Sequence, residues 1–186
     1  MPPLAERPRV SIVTPSLNQG EFIGEAIESV VTQDYPNLEY LVVDGGSQDD
    51  TLQILGRYGD RVRWTSGRDA GQADAIRRGF ESTSGDIIAW LNADDRYRPG
   101  AVRVAVDRLL SDPRPALVYG RADFIDRDGR PLGPCRQVEA WDLHRLIHEL
   151  DFVVQPASFF RRDAYLAAGG LDPDLHYCMD YDLWIR

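Results

Sequence analysis

The feature that most constrains the fold is an alternation of strand-like and helix-like segments over residues 10–91. Short apolar runs, typical of buried strands, occur at Val10–Thr14, Leu38–Val43, Val62–Ser66 and Ile87–Leu91. Segments with the helical spacing of apolar residues separate them, and these are Phe22–Thr32, residues 49–58 and Gln72–Glu81. This alternation predicts βαβ units that build a mostly parallel sheet with helices on its faces.

A polar turn follows each of these four predicted strands. The turns contain Pro15, Asp44, Asp69 and Asp94. Right-handed crossovers bring the carboxyl ends of parallel strands to one edge, where such sheets bind ligands. Asp also favours turns and helix N-termini, so any one of these residues alone has a purely structural explanation. Their convergence on one edge favours a binding site.

The most informative of these turns is Asn92-Ala93-Asp94-Asp95, directly after the apolar run Ile87–Leu91. Mg²⁺-type ions take oxygen ligands and are commonly held by one or two carboxylates together with substrate phosphates. The turn therefore predicts a metal–diphosphate site. The alternative is a polar turn that caps the following helix.

Composition excludes several classes of function. The chain contains no lysine, and every one of its 21 basic residues is arginine. A Walker-A loop, a pyridoxal-phosphate enzyme and a protein kinase each need a lysine. The net charge of −9 argues against nucleic acid as the main partner. A bound phosphate must therefore meet metal, arginine or backbone N–H groups.

The second half of the chain is less regular. It predicts helices at Pro99–Leu110, Trp141–Leu150 and Asp163–Ala168, strands at Ala116–Ile125 and Ala157–Arg161, a hairpin turn at 126–129, and a helical segment at His176–Arg186. We expect a tail at residues 1–8 and one domain at 9–186. Because the last helical pattern is interrupted by the end of the sequence, we also expect a longer parent chain.

The chain resembles the family-2 inverting glycosyltransferases of the A-type, nucleotide-diphospho-sugar fold. The stretches that carry the resemblance are VSIVTPSLNQGEFIGEAIESVVTQDYPNLEYLVVDGGSQDDT, DAGQADAIRRGF, IIAWLNADDRYRPGA, QPASFFRR and GGLDPDLHYCMDYDLWIR. They cover nearly the whole chain in the order found in the family, and the resemblance implies a nucleotide-binding half at 9–99 and an acceptor-binding half at 100–186. The resemblance implies a three-layer α/β/α fold with a mostly parallel, mixed central sheet.

The resemblance also implies a set of donor-binding residues. Thr14 and Pro15 would contact the nucleotide base or ribose, and Asp44 would contact the base. Arg68 and Asp69 would line the nucleotide pocket. Asn92, Ala93 and Asp94 occupy the Asp-x-Asp position, with Asp94 as the ligand of Mn²⁺ or Mg²⁺, and Asp95 would assist the sugar or the metal. Asn92 departs from the family pattern because it replaces the first Asp.

The implied catalytic base is Asp180, and His176, Asp182 and Trp184 are weaker candidates for acceptor contacts. For Trp184, packing in the core is an equally good explanation. Met179 replaces the usual Glu beside the base, which puts acceptor recognition in question.

The implied reaction transfers a sugar from a nucleotide-diphospho-sugar, most simply a UDP-sugar, to a hydroxyl of a glycan or lipid-linked acceptor. This reaction would serve polysaccharide or cell-surface glycan synthesis. The absence of a signal peptide and of a run of ~20 apolar residues predicts a cytoplasmic protein without a transmembrane segment, with peripheral contact at the inner face of the membrane left open. The alternatives are a weak or inactive nucleotide-sugar-binding module and a sugar-1-phosphate nucleotidyltransferase.

Overall fold

A six-stranded sheet forms the centre of the molecule in a computed structural model, which describes residues 2–112 and 114–186. The strands are β1 (Val10–Ser16), β2 (Leu38–Asp44), β3 (Arg63–Ser66), β4 (Ile87–Trp90), β5 (Leu117–Tyr119) and β8 (Ser158–Arg161), and a separate hairpin contains β6 (Asp123–Ile125) and β7 (Pro131–Pro134). The order in the large sheet is β3-β2-β1-β4-β8-β5. The first four strands pair in parallel, whereas β8 runs antiparallel to both β4 and β5. The predicted mostly parallel, mixed sheet is confirmed.

Helices cover both faces of this sheet. They are α1 (Ile23–Val31), α2 (Thr51–Arg57), α3 (Gln72–Glu81), α4 (Ala101–Ser111), α5 (Leu143–His148), α6 (Arg162–Ala167) and α7 (Met179–Ile185), with short 3-10 turns at Gly59–Arg61 and Gln155–Ala157. The apolar sides of α1, α2 and α4 pack on one face, and those of α3, α5, α6 and α7 pack on the other. Alternating residues of the strands supply both cores, because successive side chains of a strand point to opposite faces. The three-layer architecture follows.

The predicted single strand Ala116–Ile125 is wrong. The chain forms β5 in the large sheet and β6 in the hairpin, and residues 120–122 between them belong to no strand. The cause is the length of the neighbouring strand β8. Tyr119 pairs with Ser158, the first residue of β8, so the chain after Tyr119 has no residue of β8 left to pair with. After a last bond from the Gly120 amide to the Ala157 carbonyl, at 3.0 Å, the chain leaves the sheet.

The C-terminal helix begins later than the pattern at His176–Arg186 predicts. Cys178 has a φ of +56°, in the left-handed region, and helical geometry starts at Met179. His176 therefore lies in an exposed turn ahead of α7, rather than on the helix with Asp180.

None of the helices within residues 2–112 and 114–186 combines the length and the apolar character that a membrane crossing demands.

Candidate functional site

A cavity of about 370 Å³ opens at the carboxyl edge of β1 and β4. Its lining combines backbone and polar side chains, and comprises Pro15, Ser16, Leu17, Gln19, Asp69, Gly71, Gln72, Ala75, Asn92, Ala93 and Asp94. Three separate loops meet there because the parallel strands β1, β3 and β4 all end on this side of the sheet. Among the predicted donor-binding residues, the structure brings Pro15, Asp69, Asn92, Ala93 and Asp94 together in this cavity.

Asp44 lies at the end of β2 but is only 1% exposed. Its carboxylate accepts hydrogen bonds from the amides of Gly46 and Ser47, both at 3.0 Å, and from the hydroxyls of Ser47 and Ser66. These bonds occupy both carboxylate oxygens and hold the turn that connects β2 to α2. Direct contact between Asp44 and a nucleotide base stays a prediction from the family resemblance.

Asp69 is the more accessible carboxylate on this side of the cavity. It lies over the β2–α2 turn, since a β-carbon added to Gly45 would be 2.9 Å from Asp69 Oδ2. The amide of Gly71 donates to Asp69 Oδ1 at 3.0 Å and fixes the carboxylate from the other side. The half-buried group therefore lines the cavity with an oxygen that can accept a hydrogen bond from a ligand.

Two other predicted residues lie outside the cavity lining. Thr14 is fully buried in β1, where its hydroxyl is 3.0 Å from that of Tyr40. Arg68 is exposed on the loop after β3, and its carbonyl accepts a hydrogen bond from Arg78 at 3.4 Å. For Thr14 and Arg68, contact with a nucleotide remains a prediction.

Asp94 and Asp95 occupy different environments although they are neighbours. Asp94 is exposed and lines the cavity, whereas Asp95 is half-buried. Burial, together with the negative charge of Asp94, raises the pKa of Asp95 to about 6, against a hydrogen bond with Asn92 that lowers it. Asp94 is thus the carboxylate of this turn that a cation in the cavity can approach.

The donor set fits a divalent metal that is shared with a ligand. No group of three or more His, Cys, Asp and Glu side chains that could hold an ion lies within residues 2–112 and 114–186. Mg²⁺-type ions, however, are usually held by only one or two carboxylates plus substrate phosphates. The exposed carboxylate of Asp94 meets that requirement.

Two glutamines that the sequence analysis did not single out hold Asn92 in place. Gln72 Nε2 donates to Asn92 Oδ1 at 2.7 Å, and Asn92 Nδ2 donates to Gln155 Oε1 at 3.3 Å. Gln72 is the first residue of α3, and Gln155 lies in a 3-10 turn before β8. No local pattern distinguishes these residues, because the contacts join positions 20 and 63 residues apart.

Asp180, the predicted base, is half-buried in the first turn of α7 and accepts the amide of Tyr181 at 2.9 Å. Trp184 follows one helical turn later, and residues at i and i+4 share a helix face. The Trp184 indole stacks on Trp90 of β4 with ring centroids 5.8 Å apart. This stacking anchors α7 beside the strand that leads to Asn92. Trp184 is 6% exposed and belongs to the core, which is the alternative left open for it.

His176 and Asp182, two of the predicted acceptor residues, lie in different surroundings. His176 Nδ1 lies 3.7 Å from where a β-carbon on Gly71 would be, so the imidazole reaches the loop that lines the cavity. Asp182 forms an ion pair with Arg186 on the same helix. His176 therefore lies beside the loop that lines the cavity.

Comparison with protein families and curated proteins identifies relatives over nearly the whole chain. The model of glycosyl transferase family 2 matches residues 11–167. An uncharacterized glycosyltransferase of Rickettsia typhi is 30% identical over 191 residues, which cover 96% of this chain and 58% of that protein. Chondroitin synthase of Escherichia coli is 28% identical over 182 residues, 96% of this chain and 26% of that protein. The chain thus spans only part of the length of these relatives.

Solved structures show the same fold. S. aureus TarS in complex with UDP has a TM-score of 0.75 at 19% identity, over 93% of this chain and 53% of that one. The mannosyltransferase PcManGT from Pyrobaculum calidifontis, in complex with GDP-Man and Mn²⁺, has a TM-score of 0.68 at 21% identity, over 94% and 50% of the two chains. The predicted A-type fold is confirmed by these similarities. Since the family model covers most of the sequence, the chain belongs to glycosyl transferase family 2.

Proposed function

We propose that this domain transfers a sugar from a nucleotide-diphospho-sugar to an acceptor hydroxyl, with inversion at the anomeric carbon. The observation that carries the proposal is the cavity at the carboxyl edge, where Asp69, Asn92 and Asp94 from two loops line one space. The bound UDP of TarS and the bound GDP-Man and Mn²⁺ of PcManGT support a nucleotide-sugar as the ligand. A UDP-sugar is the first donor to test, and the similarity to a chondroitin synthase supports a glycan acceptor.

The donor would bind with its nucleoside beside Pro15 and Asp69. Asp69 offers an oxygen to the hydroxyls of the ribose or the edge of the base, while Asp44 keeps the neighbouring turn in shape. The amide of Asn92 would contact the ribose or the diphosphate. We assign these roles by exposure. A group that faces the cavity with free hydrogen-bonding capacity can exchange a bound water molecule for the ligand.

Asp94 would hold Mn²⁺ or Mg²⁺ together with oxygens of the diphosphate, with Asp95 behind it. When bound, such an ion supplies Lewis-acid stabilisation of the charge that develops on the leaving diphosphate. The raised pKa of Asp95 means that below about pH 6 it carries less negative charge beside Asp94.

Asp180 would act as the general base. The acceptor oxygen forms a bond to the anomeric carbon while the bond from that carbon to the diphosphate oxygen breaks, and the hydroxyl proton passes to the Asp180 carboxylate. A single displacement of this kind inverts the anomeric centre. Stacking of Trp184 on Trp90 would keep Asp180 near the end of β4, and His176 would lie between the donor loop and the acceptor.

The decisive experiment combines binding with turnover. The protein is incubated with UDP-, GDP- and TDP-sugars with and without Mn²⁺; thermal stabilisation reports binding, and release of the nucleoside diphosphate reports transfer or hydrolysis. The proposal expects metal-dependent stabilisation by one nucleotide class and release of that diphosphate. Binding without any release of nucleoside diphosphate, across a panel of glycan and lipid-linked acceptors, would instead favour a non-catalytic binding module. The departures from the family pattern at Asn92 and Met179 are the reason to test this alternative.

The second enzymatic alternative has its own readout. A sugar-1-phosphate nucleotidyltransferase would release pyrophosphate from a nucleoside triphosphate and a sugar phosphate. The chain lacks the lysine that such an enzyme is expected to use, so we expect no pyrophosphate.

A further inference from the structure

The side chain of Asn92 belongs to a directed chain of amide hydrogen bonds. Gln155 Nε2 donates to the Trp90 carbonyl at 2.8 Å, Asn92 Nδ2 donates to Gln155 Oε1 at 3.3 Å, and Gln72 Nε2 donates to Asn92 Oδ1 at 2.7 Å. We call Trp90 O, Gln155, Asn92 and Gln72 the amide relay. It connects the last residue of β4, the 3-10 turn before β8 and the start of α3 at the rim of the cavity.

The direction of the relay is fixed from its buried end. A backbone carbonyl can only accept, so Gln155 must turn its NH₂ group toward Trp90. Gln155 is 9% exposed, and its Oε1 consequently faces residue 92. Because an amide oxygen can only accept, residue 92 must offer a donor. Asn92 does so, whereas an ionised Asp would place two acceptors opposite each other beside Asp94 and Asp95.

We propose that the amide relay requires a hydrogen-bond donor at position 92 and fixes that side chain at the wall of the cavity. Gln155 acts as a positioning residue, since it works through Asn92. Gln72 occupies Asn92 Oδ1, while the Asn92 amide donates to Gln155 and also hydrogen-bonds Asp95, so the side chain is held at the wall of the cavity from three sides. The effect on a ligand rests on the proposed function; the requirement for a donor at position 92 does not.

An ionised Asp at position 92 would face Gln155 Oε1 without a donor, and its charge would also lie beside Asp94 and Asp95. Only the first of these two penalties depends on Gln155.

The first experiment measures thermal unfolding of wild type, Asn92→Asp and Asn18→Asp at pH 8. We expect a lower Tm for Asn92→Asp than for Asn18→Asp. Asn18→Asp is the matched control: it adds the same charge in the loop after β1, but Asn18 Oδ1 accepts the Gln48 amide, which a carboxylate also accepts. Equal Tm values for Asn92→Asp and Asn18→Asp would overturn the relay.

A double-mutant cycle keeps the proposal testable if one variant folds poorly. Gln155→Met removes the acceptor opposite position 92, so Asn92→Asp should lower the Tm less in that background than in wild type. Equal effects in the two backgrounds would contradict the proposal. UDP with Mn²⁺ then probes the ligand: we expect about tenfold weaker binding for Asn92→Asp at pH 8. If UDP binds neither wild type nor variant, the proposed function fails while the unfolding and cycle results still decide the relay.

Discussion

The carboxylate of Asp69 occupies the space directly above Gly45, where a β-carbon would lie 2.9 Å from Asp69 Oδ2. Two loops that are distant in sequence therefore fit together only because residue 45 has no side chain. The φ of Gly45 is not in the left-handed region, so the backbone itself would accept alanine. The absence of a side chain at this position thus determines where the carboxylate of Asp69 can sit.

We predict that Gly45→Ala displaces Asp69 and weakens nucleotide-sugar binding by about tenfold, the equivalent of one lost polar contact. Titration with a UDP-sugar and Mn²⁺ measures the effect. Gly67→Ala is the matched control, because its β-carbon would meet no atom within 4 Å and its φ is also outside the left-handed region. Equal affinities of the Gly45→Ala variant and wild type would show that Asp69 does not contact the donor.

Asp180→Asn should reduce kcat by at least ~10²-fold while the KM for the donor changes little, because general-base assistance contributes ~10²–10⁴-fold. Steady-state release of nucleoside diphosphate in the presence of acceptor measures both parameters. Asp182→Asn serves as the control on the same helix, since Asp182 pairs with Arg186. Full activity of Asp180→Asn would refute the catalytic role.

Asp94→Ala should abolish the increase in nucleotide affinity that Mn²⁺ provides, and chelation should reduce the affinity of wild type to the same level. The physical reason is that Asp94 is the exposed carboxylate of the cavity. Asp50→Ala is a suitable control, as Asp50 is exposed and makes no side-chain cap bond at the start of α2. An undiminished metal effect in Asp94→Ala would place the ion elsewhere.

Trp184→Ala should lower the free energy of unfolding by about 3–5 kcal/mol, the usual result of truncating a large core aromatic. Because Trp184 stacks on Trp90 and shares a helix face with Asp180, Trp184→Phe should retain most of the stability and the donor affinity. Denaturant titration measures the first effect. For comparison, Trp141 is 50% exposed, and Trp141→Ala should cost far less. A small cost for Trp184→Ala would contradict its position in the core.

The surroundings of Glu39 predict that the free energy of unfolding changes at acidic pH. The 7% exposed carboxylate accepts from Ser11 Oγ at 2.7 Å and the Ser84 amide at 2.8 Å, and pairs with Arg63 at 3.0 Å. Burial raises the pKa of Glu39, but these hydrogen bonds and the charges of Arg9 and Arg63 outweigh it, and the net pKa is lowered.

A lowered folded-state pKa stabilises the fold above the unfolded pKa of ~4.3, and this contribution is lost as the pH falls through the folded value. Glu39→Gln should therefore cost about 1–2 kcal/mol at pH 7 and progressively less below pH 4. Urea unfolding at several pH values measures it. Since Glu39 is near the amino ends of the strands, donor affinity should not change; a pH-independent cost would show that the charge is unimportant.

The sequence by itself determined the alternation of strands and helices and the edge at which polar turns collect. Gln72–Glu81 forms a helix with the predicted bounds, because the spacing of Ala73, Ile76 and Phe80 is a local property that any packing on the sheet preserves. The four predicted strands of residues 10–91 are likewise present.

The tertiary structure decided which side chains of those turns face the cavity. Asp44 and Asp69 look alike in sequence, yet the hydroxyls of Ser47 and Ser66 bury one, while Gly45 and Gly71 leave the other open. The split of residues 116–125 between two sheets depends on where β8 begins, and the orientation of Asn92 depends on Gln155. Burial and hydrogen-bond partners at these positions come from contacts between distant residues, which the local spacing of residue types does not encode.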